Sequence, residues 1–249
     1  MIARLTSFLI VCLCPFLASA EDVKPKLGPD AVPIFAAPGY FRTAPAPDYW
    51  RLAAFYVPQD TSSACSVASV AMAVNFIRGL PPSAEDRLVT PAGLLEAVAD
   101  EGWTAKTVEE GDGVTFQDLV DVLTESLAAY ELANTRIETY KPADASPASL
   151  GKVRELLAAN EASAQDMLLV YFNQGVLTGD WDGPHISPIG AYDAANDRVL
   201  VMDVDREWYV PYWVPAAKLL EAMLKPAGPD QGPLAGETGG FVKVTARGS

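Results

Sequence analysis

The spacing of apolar residues changes once along this chain of 249 residues. Up to Leu157 they recur at three- and four-residue intervals, as on amphipathic helices, whereas from Met167 they form short continuous runs, as in buried strands. The predicted helices begin near residues 65, 91, 116 and 147, with a short one over 218–223, and the predicted strands cover residues 167–172, 185–192, 199–204, 208–214 and 241–245. Helices followed by antiparallel strands predict a single α+β domain.

Residues 58–78 combine a polar turn with an apolar helix. Residues 60–63 offer candidate N-cap oxygens, and Gly79 before two prolines is predicted to end the helix. Cys65 falls in the first turn, where unpaired backbone N–H groups and the helix dipole favour a thiolate. Gln59, on the turn leading in, can direct its amide at an oxyanion forming beside Cys65. The alternative interpretation is a small buried cysteine on a core helix, which is common.

A base and its orienting group are predicted on the strands. His185, the single histidine, begins one strand and Asp203 ends the next, so an antiparallel pair could bring them together. A carboxylate at the end of an apolar strand needs a partner. The other acidic candidates are Asp193, Asp197 and Asp205. A lone histidine is more often structural, but the order Cys65, His185, Asp203 is that of papain-like cysteine enzymes.

Residues 1–20 are typical of a secretory signal, with Arg4, an apolar run over residues 8–17 and small residues ending at Ala20. Cleavage after Ala20 would give an exported, periplasmic protein without a membrane anchor. It would also remove Cys12 and Cys14, so that the mature chain keeps one thiol and no internal disulfide.

Charge and composition restrict the partners. The formal net charge of −14 argues against nucleic acid and against anionic membranes. One cysteine and one histidine in the mature chain make a Cys/His metal site unexpected. Residues 21–50, rich in Pro, Ala and Gly, are predicted to be an extended lead-in to a domain over residues 51–249.

Three segments of this domain resemble the catalytic domain of phytochelatin synthase. They are Gln59…Cys65-Ser-Val-Ala-Ser, the run over residues 184–192 with its His-Ile-Ser-Pro, and the run over residues 200–214 with its Asp-Val-Asp-Arg. The resemblance implies a papain-like fold, with a helical half carrying Cys65 and an antiparallel sheet half carrying His185 and Asp203. It further implies that Cys65 is the nucleophile, His185 the general base and acid, Asp203 its orienter and Gln59 an oxyanion-hole donor.

The resemblance also implies an activity. Such enzymes release glycine from glutathione through a γ-glutamylcysteinyl thioester, which passes to a second glutathione, giving phytochelatin, or to water. No cofactor or protein metal site is implied, although metal–glutathione thiolate complexes could serve as substrates. The chain lacks the cysteine-rich regulatory region of the plant enzymes, which favours hydrolysis, and a homodimer is compatible with the sequence.

Three positions depart from the family pattern: Ser66 replaces a glycine, Gly239 replaces an arginine, and Tyr171-Phe172 occupy a zone that often holds asparagine. Arg206 is the nearest candidate cation for a glutathione carboxylate, unless it pairs with its acidic neighbours Asp205 and Glu207. Two alternatives remain open. One is a peptidase or amidase acting on another thiol peptide, and the other is a non-catalytic binding protein.

Overall fold

The computed structural model describes residues 24–246, so the predicted signal segment lies outside the described residues. The strands are β1 (Val32–Pro33), β2 (Arg136–Tyr140), β3 (Asp166–Asn173), β4 (Pro184–Asp193), β5 (Arg198–Val201), β6 (Tyr212–Pro215) and β7 (Gly240–Thr245). Within residues 24–246 they form a seven-stranded antiparallel sheet in the order β1-β6-β5-β4-β3-β7-β2.

The α-helices of the described chain are α1 (Tyr40–Thr43), α2 (Pro47–Ala53), α3 (Cys65–Arg78), α4 (Pro91–Val98), α5 (Glu101–Lys106), α6 (Phe116–Ala129), α7 (Pro147–Glu161), α8 (Gln174–Thr178) and α9 (Ala216–Leu224). Short 3-10 turns occupy Ile34–Ala36 and Gly232–Leu234. No helix within residues 24–246 has the length and apolarity needed to cross a membrane.

Helices cover both faces of the sheet, and β3 shows why. Its eight residues are all buried. Met167, Leu169 and Tyr171 pack into the core formed with α3 and α6, while the alternate residues, Leu168 among them, pack into the core formed with α7 and α9. The sequence of a strand buried on both faces is a continuous apolar run, because neither face of the strand is exposed to solvent and needs polar residues. The α+β class is confirmed.

Helix α3 is confirmed at both ends, but its predicted cap is wrong. The helix runs from Cys65 to Arg78, and the C-cap residue Gly79, with a φ of 73°, ends it. Its N-cap residue is Ala64, which provides no side-chain hydrogen bond. The polar turn before it is bonded elsewhere: Thr61 Oγ1 and Ser63 Oγ donate to the backbone oxygens of Thr107 and Gly111, each at 2.6 Å. The first turn of α3 is therefore left without a capping side chain.

The lead-in is not simply extended. From residue 24 onward it contains β1 and the two short helices α1 and α2. Aromatic contacts anchor it, because the rings of Tyr40 and Phe41 lie 5.3 and 5.8 Å from that of Trp213 on β6. Aromatic anchors without periodic spacing leave no helical pattern in the sequence, which is why the prediction failed there.

The strand predictions need three corrections. β4 lies inside the sheet, so the edge position that Pro188 suggested is wrong, whereas the bulge that it also suggested is supported by the register shift between Ile189 and Ala191. Strand β5 stops at Val201, and β6 begins only at Tyr212. The intervening connection, residues 202–211, therefore carries Asp203 on a loop rather than on a strand. The edge strand β2 and helices α5 and α8 were not predicted.

A buried acid–amide pair joins α2 to α7. Asp48 is fully buried and Asn160 is 1% exposed. The Asn160 amide nitrogen donates to Asp48 Oδ2, whereas Oδ1 of each residue has no partner among the described residues. Burial, followed by the nearby Glu161 and Asp166 carboxylates, raises the pKa of Asp48 to about 9. A proton retained on Asp48 would give the Asn160 oxygen its missing donor.

Replacing Asp48 by asparagine is expected to stabilise the fold, increasingly so as pH rises. The unfolded state loses the Asp48 proton before the native state does, so wild-type stability should fall by up to about 1.4 kcal/mol per pH unit between the two pKa values. The amide has no proton to lose in this range. The melting-temperature gap between Asp48→Asn and wild type should therefore widen between about pH 5 and about pH 8. Glu125→Gln, at an exposed site on α6, is the matched control. A constant gap would show that native Asp48 is ionised.

Candidate active site

Cys65 and His185 line one cavity, although they are far apart in sequence. Cys65 opens α3 and is partly exposed, and His185 is the second residue of β4. One turn into α3, the Ser69 hydroxyl donates to the backbone oxygen of Ile186 at 3.0 Å, which ties the helix to the strand beside the histidine. The cavity over the two side chains has a volume of about 700 Å³. The thiol therefore faces solvent through a defined cleft and is not buried in the core.

The partner of His185 is Asp203. His185 Nε2 lies 3.0 Å from Asp203 Oδ1, and the two residues are 4% and 0% exposed. The backbone N–H of Asp205 donates to the same Oδ1 at 2.9 Å. Because Nε2 is directed at the Asp203 carboxylate, Nδ1 is the ring nitrogen that is available to interact with the Cys65 thiol.

The carboxylate controls the charge of the imidazole. Burial alone would lower the pKa of His185, but the Asp203 carboxylate and Cys65 outweigh burial and raise that pKa to about 10. The ring therefore stays protonated through neutral pH, and a protonated ring can donate a proton.

Two of the other three acidic candidates are engaged elsewhere. Asp197 binds the Arg154 guanidinium and the Tyr192 hydroxyl, and Asp193 accepts hydrogen bonds within its own turn. Asp205 lies near the pair and lines the cavity, and burial followed by the Asp203 charge raises its pKa. Its carboxylate makes no hydrogen bond to His185 among the contacts of the described residues.

Gln59 lies at the same cavity, as its sequence position suggested. Its backbone N–H donates to Val204 O at 2.9 Å, which holds it beside the Asp203 loop. Its amide nitrogen makes one long contact, 3.4 Å to Ser62 O, and its Oε1 has no partner within residues 24–246. The side chain is thus weakly held and could turn towards an oxyanion at the uncapped start of α3.

The cavity is acidic. Six of its lining residues are carboxylates: Asp60, Glu109, Asp112, Asp180, Asp205 and Glu207. Over the part of the chain that the structure describes, no lysine or arginine lines it. The cation of Lys26 lies at its aromatic wall, 4.3 Å from the ring centre of the half-exposed Trp208. Lys24 Nζ lies 2.9 Å from Asp180 Oδ1, so one of the six carboxylates is paired with a lysine. Among the lining residues of the described chain, the protonated His185 carries the positive charge.

Arg206, the candidate substrate cation, is not among the lining residues. Its guanidinium lies over the Tyr56 ring, 5.0 Å from the centroid, and the Tyr56 hydroxyl donates to Asp203 O. Among the salt bridges of residues 24–246, none joins Arg206 to Asp205 or Glu207. Its contacts support the loop that carries Asp203, and its role in binding substrate stays a prediction.

The departures from the family pattern are accommodated structurally. Ser66 is fully buried and accepts a 2.9 Å hydrogen bond from the Trp103 indole, so it faces the helical core and not the cavity. A side chain at position 239 would begin 1.8 Å from the Tyr171 carbonyl oxygen, which excludes an arginine in this backbone arrangement. The Tyr171 hydroxyl donates to Val114 O, and the Phe172 ring stands edge-on to His185 at 5.5 Å.

Gln174 is a site residue that the sequence analysis missed. It begins α8, lines the cavity and donates from Nε2 to Asp203 Oδ2 at 3.1 Å. The signal available in the sequence was weak, namely a polar residue directly after the buried run of β3. No group of three or more His, Cys, Asp or Glu side chains within residues 24–246 is placed to hold a metal ion.

A cysteine at a helix start beside a buried histidine–aspartate pair is the arrangement of thiol-dependent acyl transfer. A sequence model of phytochelatin synthase matches residues 38–231. The chain therefore belongs to the phytochelatin synthase family, as its sequence motifs indicated.

Curated relatives agree with this assignment. Glutathione gamma-glutamylcysteinyltransferase 1 of Arabidopsis thaliana is 23% identical over 183 residues, which cover 70% of this chain and 33% of the relative. The corresponding transferase 2 of the same plant is 25% identical over 183 residues, 70% of this chain and 36% of the relative. Transferase 3 of Lotus japonicus is 45% identical over 56 residues, 22% of this chain and 12% of the relative. The chain spans about a third of the length of the Arabidopsis relatives.

Proposed function

We propose that this protein is a papain-like cysteine enzyme that releases glycine from glutathione through a thioester on Cys65. The main support is the shared cavity of Cys65 and the His185–Asp203 pair. Membership of the phytochelatin synthase family and the printed names of the curated relatives point to glutathione as the γ-glutamylcysteinyl donor. The helical layer that carries Cys65 and the sheet and loop that carry His185 and Asp203 are consistent with a papain-like division.

The first half-reaction is an acyl transfer to sulfur. The Cys65 thiolate attacks the carbonyl carbon of the cysteinyl–glycine amide, and the carbonyl oxygen takes up negative charge. The uncapped start of α3 and the Gln59 amide are the donors available for that charge. His185 then gives its proton to the departing nitrogen, the C–N bond breaks and glycine leaves.

The second half-reaction returns the enzyme to its starting state. Neutral His185 takes a proton from water, the hydroxide oxygen attacks the thioester carbonyl, and the C–S bond breaks. Free γ-glutamylcysteine leaves, and the proton on His185 restores the ion pair with Cys65. Asp203 keeps its contact with Nε2 throughout, which stabilises the imidazolium and holds Nδ1 towards the sulfur.

Hydrolysis is proposed to dominate over transfer to a second glutathione. Glutathione carries two carboxylates and one ammonium group, whereas six carboxylates line the cavity and, within residues 24–246, only Asp180 among them is paired with a lysine. Like charges in a partly desolvated cleft repel, so an anionic acceptor binds weakly while water is unaffected. The acidic lining supports this proposal. Ser66 does not support it, because its side chain faces the core and not the cavity.

Product analysis tests the proposed function. The mature protein is incubated with glutathione under reducing conditions, with and without cadmium, and the products are separated by chromatography. We expect glycine and γ-glutamylcysteine in equal amounts. A growing series of oligomeric thiol peptides would refute the preference for water. Absence of glycine would favour a different donor, and a glutathione amide with a cationic leaving group would then suit the acidic cleft best.

Salt is expected to raise kcat/KM for glutathione. Added monovalent salt shortens the Debye length from about 30 Å at 0.01 M to about 8 Å at 0.15 M and weakens repulsion between substrate and cavity. Glu207→Gln, within the lining, should raise kcat/KM at low salt and reduce the salt effect. Glu125→Gln, outside the cavity, should do neither. A kcat/KM that falls with salt would show that attraction to a cation dominates binding.

Export and cleavage after Ala20 stay a prediction, because those residues lie outside the described part of the chain. The expected mature N-terminus is Glu21.

A further inference from the structure

Gln174 is fixed in place by its backbone. It directly follows β3, and its N–H donates at 2.9 Å to the oxygen of Gly183, two residues before His185. Its own carbonyl oxygen accepts from the Thr178 hydroxyl at 3.0 Å. The residue is only 1% exposed. These contacts place one rigid turn between the end of β3, the start of β4 and the Asp203 loop.

The Gln174 side chain holds the oxygen of Asp203 that His185 does not use. Its Nε2 donates to Oδ2 at 3.1 Å while His185 occupies Oδ1 at 3.0 Å. Only the nitrogen of an amide can donate to an ionised carboxylate, so this contact fixes the amide orientation. Oε1 is left without a partner among the described residues.

We propose that Gln174 is a positioning residue for the reaction: it fixes the rotation of the Asp203 carboxylate and thereby the orientation of the His185 ring. The inference rests on the proposed function. A carboxylate held through one oxygen can turn about its Cβ–Cγ bond, and that rotation would swing the imidazole away from Cys65. With Oδ2 held by Gln174 and Oδ1 also held by the Asp205 backbone, that rotation is blocked.

A purely structural role is the alternative, because any buried carboxylate needs donors. The neighbouring residue provides a matched control. Asn173 is also a buried amide, 3% exposed, with an unpartnered oxygen within residues 24–246, but its nitrogen donates to Asp182 and not to Asp203. Gln174→Met and Asn173→Leu each remove one buried amide at nearly constant volume.

Gln174→Met should lower kcat for glycine release roughly 10- to 100-fold, as expected for loss of a hydrogen bond to a buried charge. KM should change less than kcat, because Asp203, the group that the amide holds, is fully buried and does not line the cavity. Asn173→Leu should retain the wild-type kcat. Equal losses of activity and melting temperature in both variants would overturn the inference, as would a wild-type kcat in Gln174→Met.

Gln174→Glu supplies a readout that a structural role would not move. The titratable groups facing Asp203 are His185, Asp205, Tyr56, Tyr209 and Tyr212. The introduced carboxyl should share a proton with Asp203, because two adjacent carboxylates cannot easily both ionise. At low pH the protonated introduced carboxyl donates a hydrogen bond to Asp203, as the amide does, so kcat should approach that of the wild type. As pH rises, kcat should fall away from the wild-type curve, and parallel pH profiles would overturn the inference.

Thiol reactivity separates this inference from the proposed substrate. Iodoacetamide labels Cys65 whether or not glutathione is the donor. Near pH 6, Gln174→Met should label more slowly than wild type, since a poorly oriented imidazolium stabilises the thiolate less, and Asn173→Leu should label at the wild-type rate. If wild type released no glycine but these rates held, the proposed substrate would fail and the role of Gln174 would stand. Equal labelling rates would overturn that role.

Discussion

Replacement of Cys65 by alanine is expected to lower glycine release from glutathione by at least about 10⁴-fold, because residues 24–246 contain no other thiol to form the acyl intermediate. His185→Ala should have an effect of similar size, since it removes the proton donor and base together with the cation beside the sulfur. The measurement is glycine release over hours at saturating glutathione.

Cys65→Ser is the matched control for folding. It keeps nearly the same volume at the start of α3, so its melting temperature should equal that of wild type while its activity is also lost. Normal glycine release by Cys65→Ala would contradict the account and would favour a protein whose thiol has no chemical role.

Asp203→Asn is expected to lower kcat by roughly 10²–10⁴-fold, because a neutral amide stabilises the imidazolium and holds its tautomer less well than a carboxylate does. The lower end is expected, since papain-like proteases function with a Cys-His-Asn arrangement. The pH optimum should also move, because the carboxylate keeps the pKa of His185 high. Removing it should lower that pKa, so the protonated ring should be lost at a lower pH.

Asp205→Asn is the comparison variant. The contribution of Asp205 to the pair is a backbone N–H to Asp203 Oδ1, which the substitution preserves. Its effect should therefore be much smaller than that of Asp203→Asn. The reverse order of effects would transfer the orienting role to Asp205.

The elements with local signals could be predicted from the sequence. Thr90, Thr115 and Ser146 each cap the helix they precede, and Thr115 forms a capping box with Asp118. Short polar side chains followed by apolar residues at helical spacing encode such starts within a few residues. The His185–Asp203 pair could also be predicted from the sequence, because a carboxylate after an apolar run requires a nearby partner.

The parts that were missed depend on long-range packing. Gln174 is separated from Asp203 by 29 residues, and its contact arises only once β3, β4 and the loop after β5 are assembled. The acidic lining likewise draws on several loops, which come together only in the folded chain. The turn before α3 was assigned to capping because its residues suit that role, but the loop that includes Thr107 and Gly111 competes for them.

The central claim is that Cys65 carries the acyl group of glutathione. Rapid mixing of Asp203→Asn with excess glutathione, acid quenching and mass spectrometry of the intact protein test this claim directly, because the variant should slow loss of the intermediate. The account predicts a mass increase of one γ-glutamylcysteinyl group, located on the peptide that contains Cys65 and removed by hydroxylamine. It also predicts an equal amount of glycine released in the same interval. Glycine released without any added mass on Cys65, at times before the first turnover, would contradict the account.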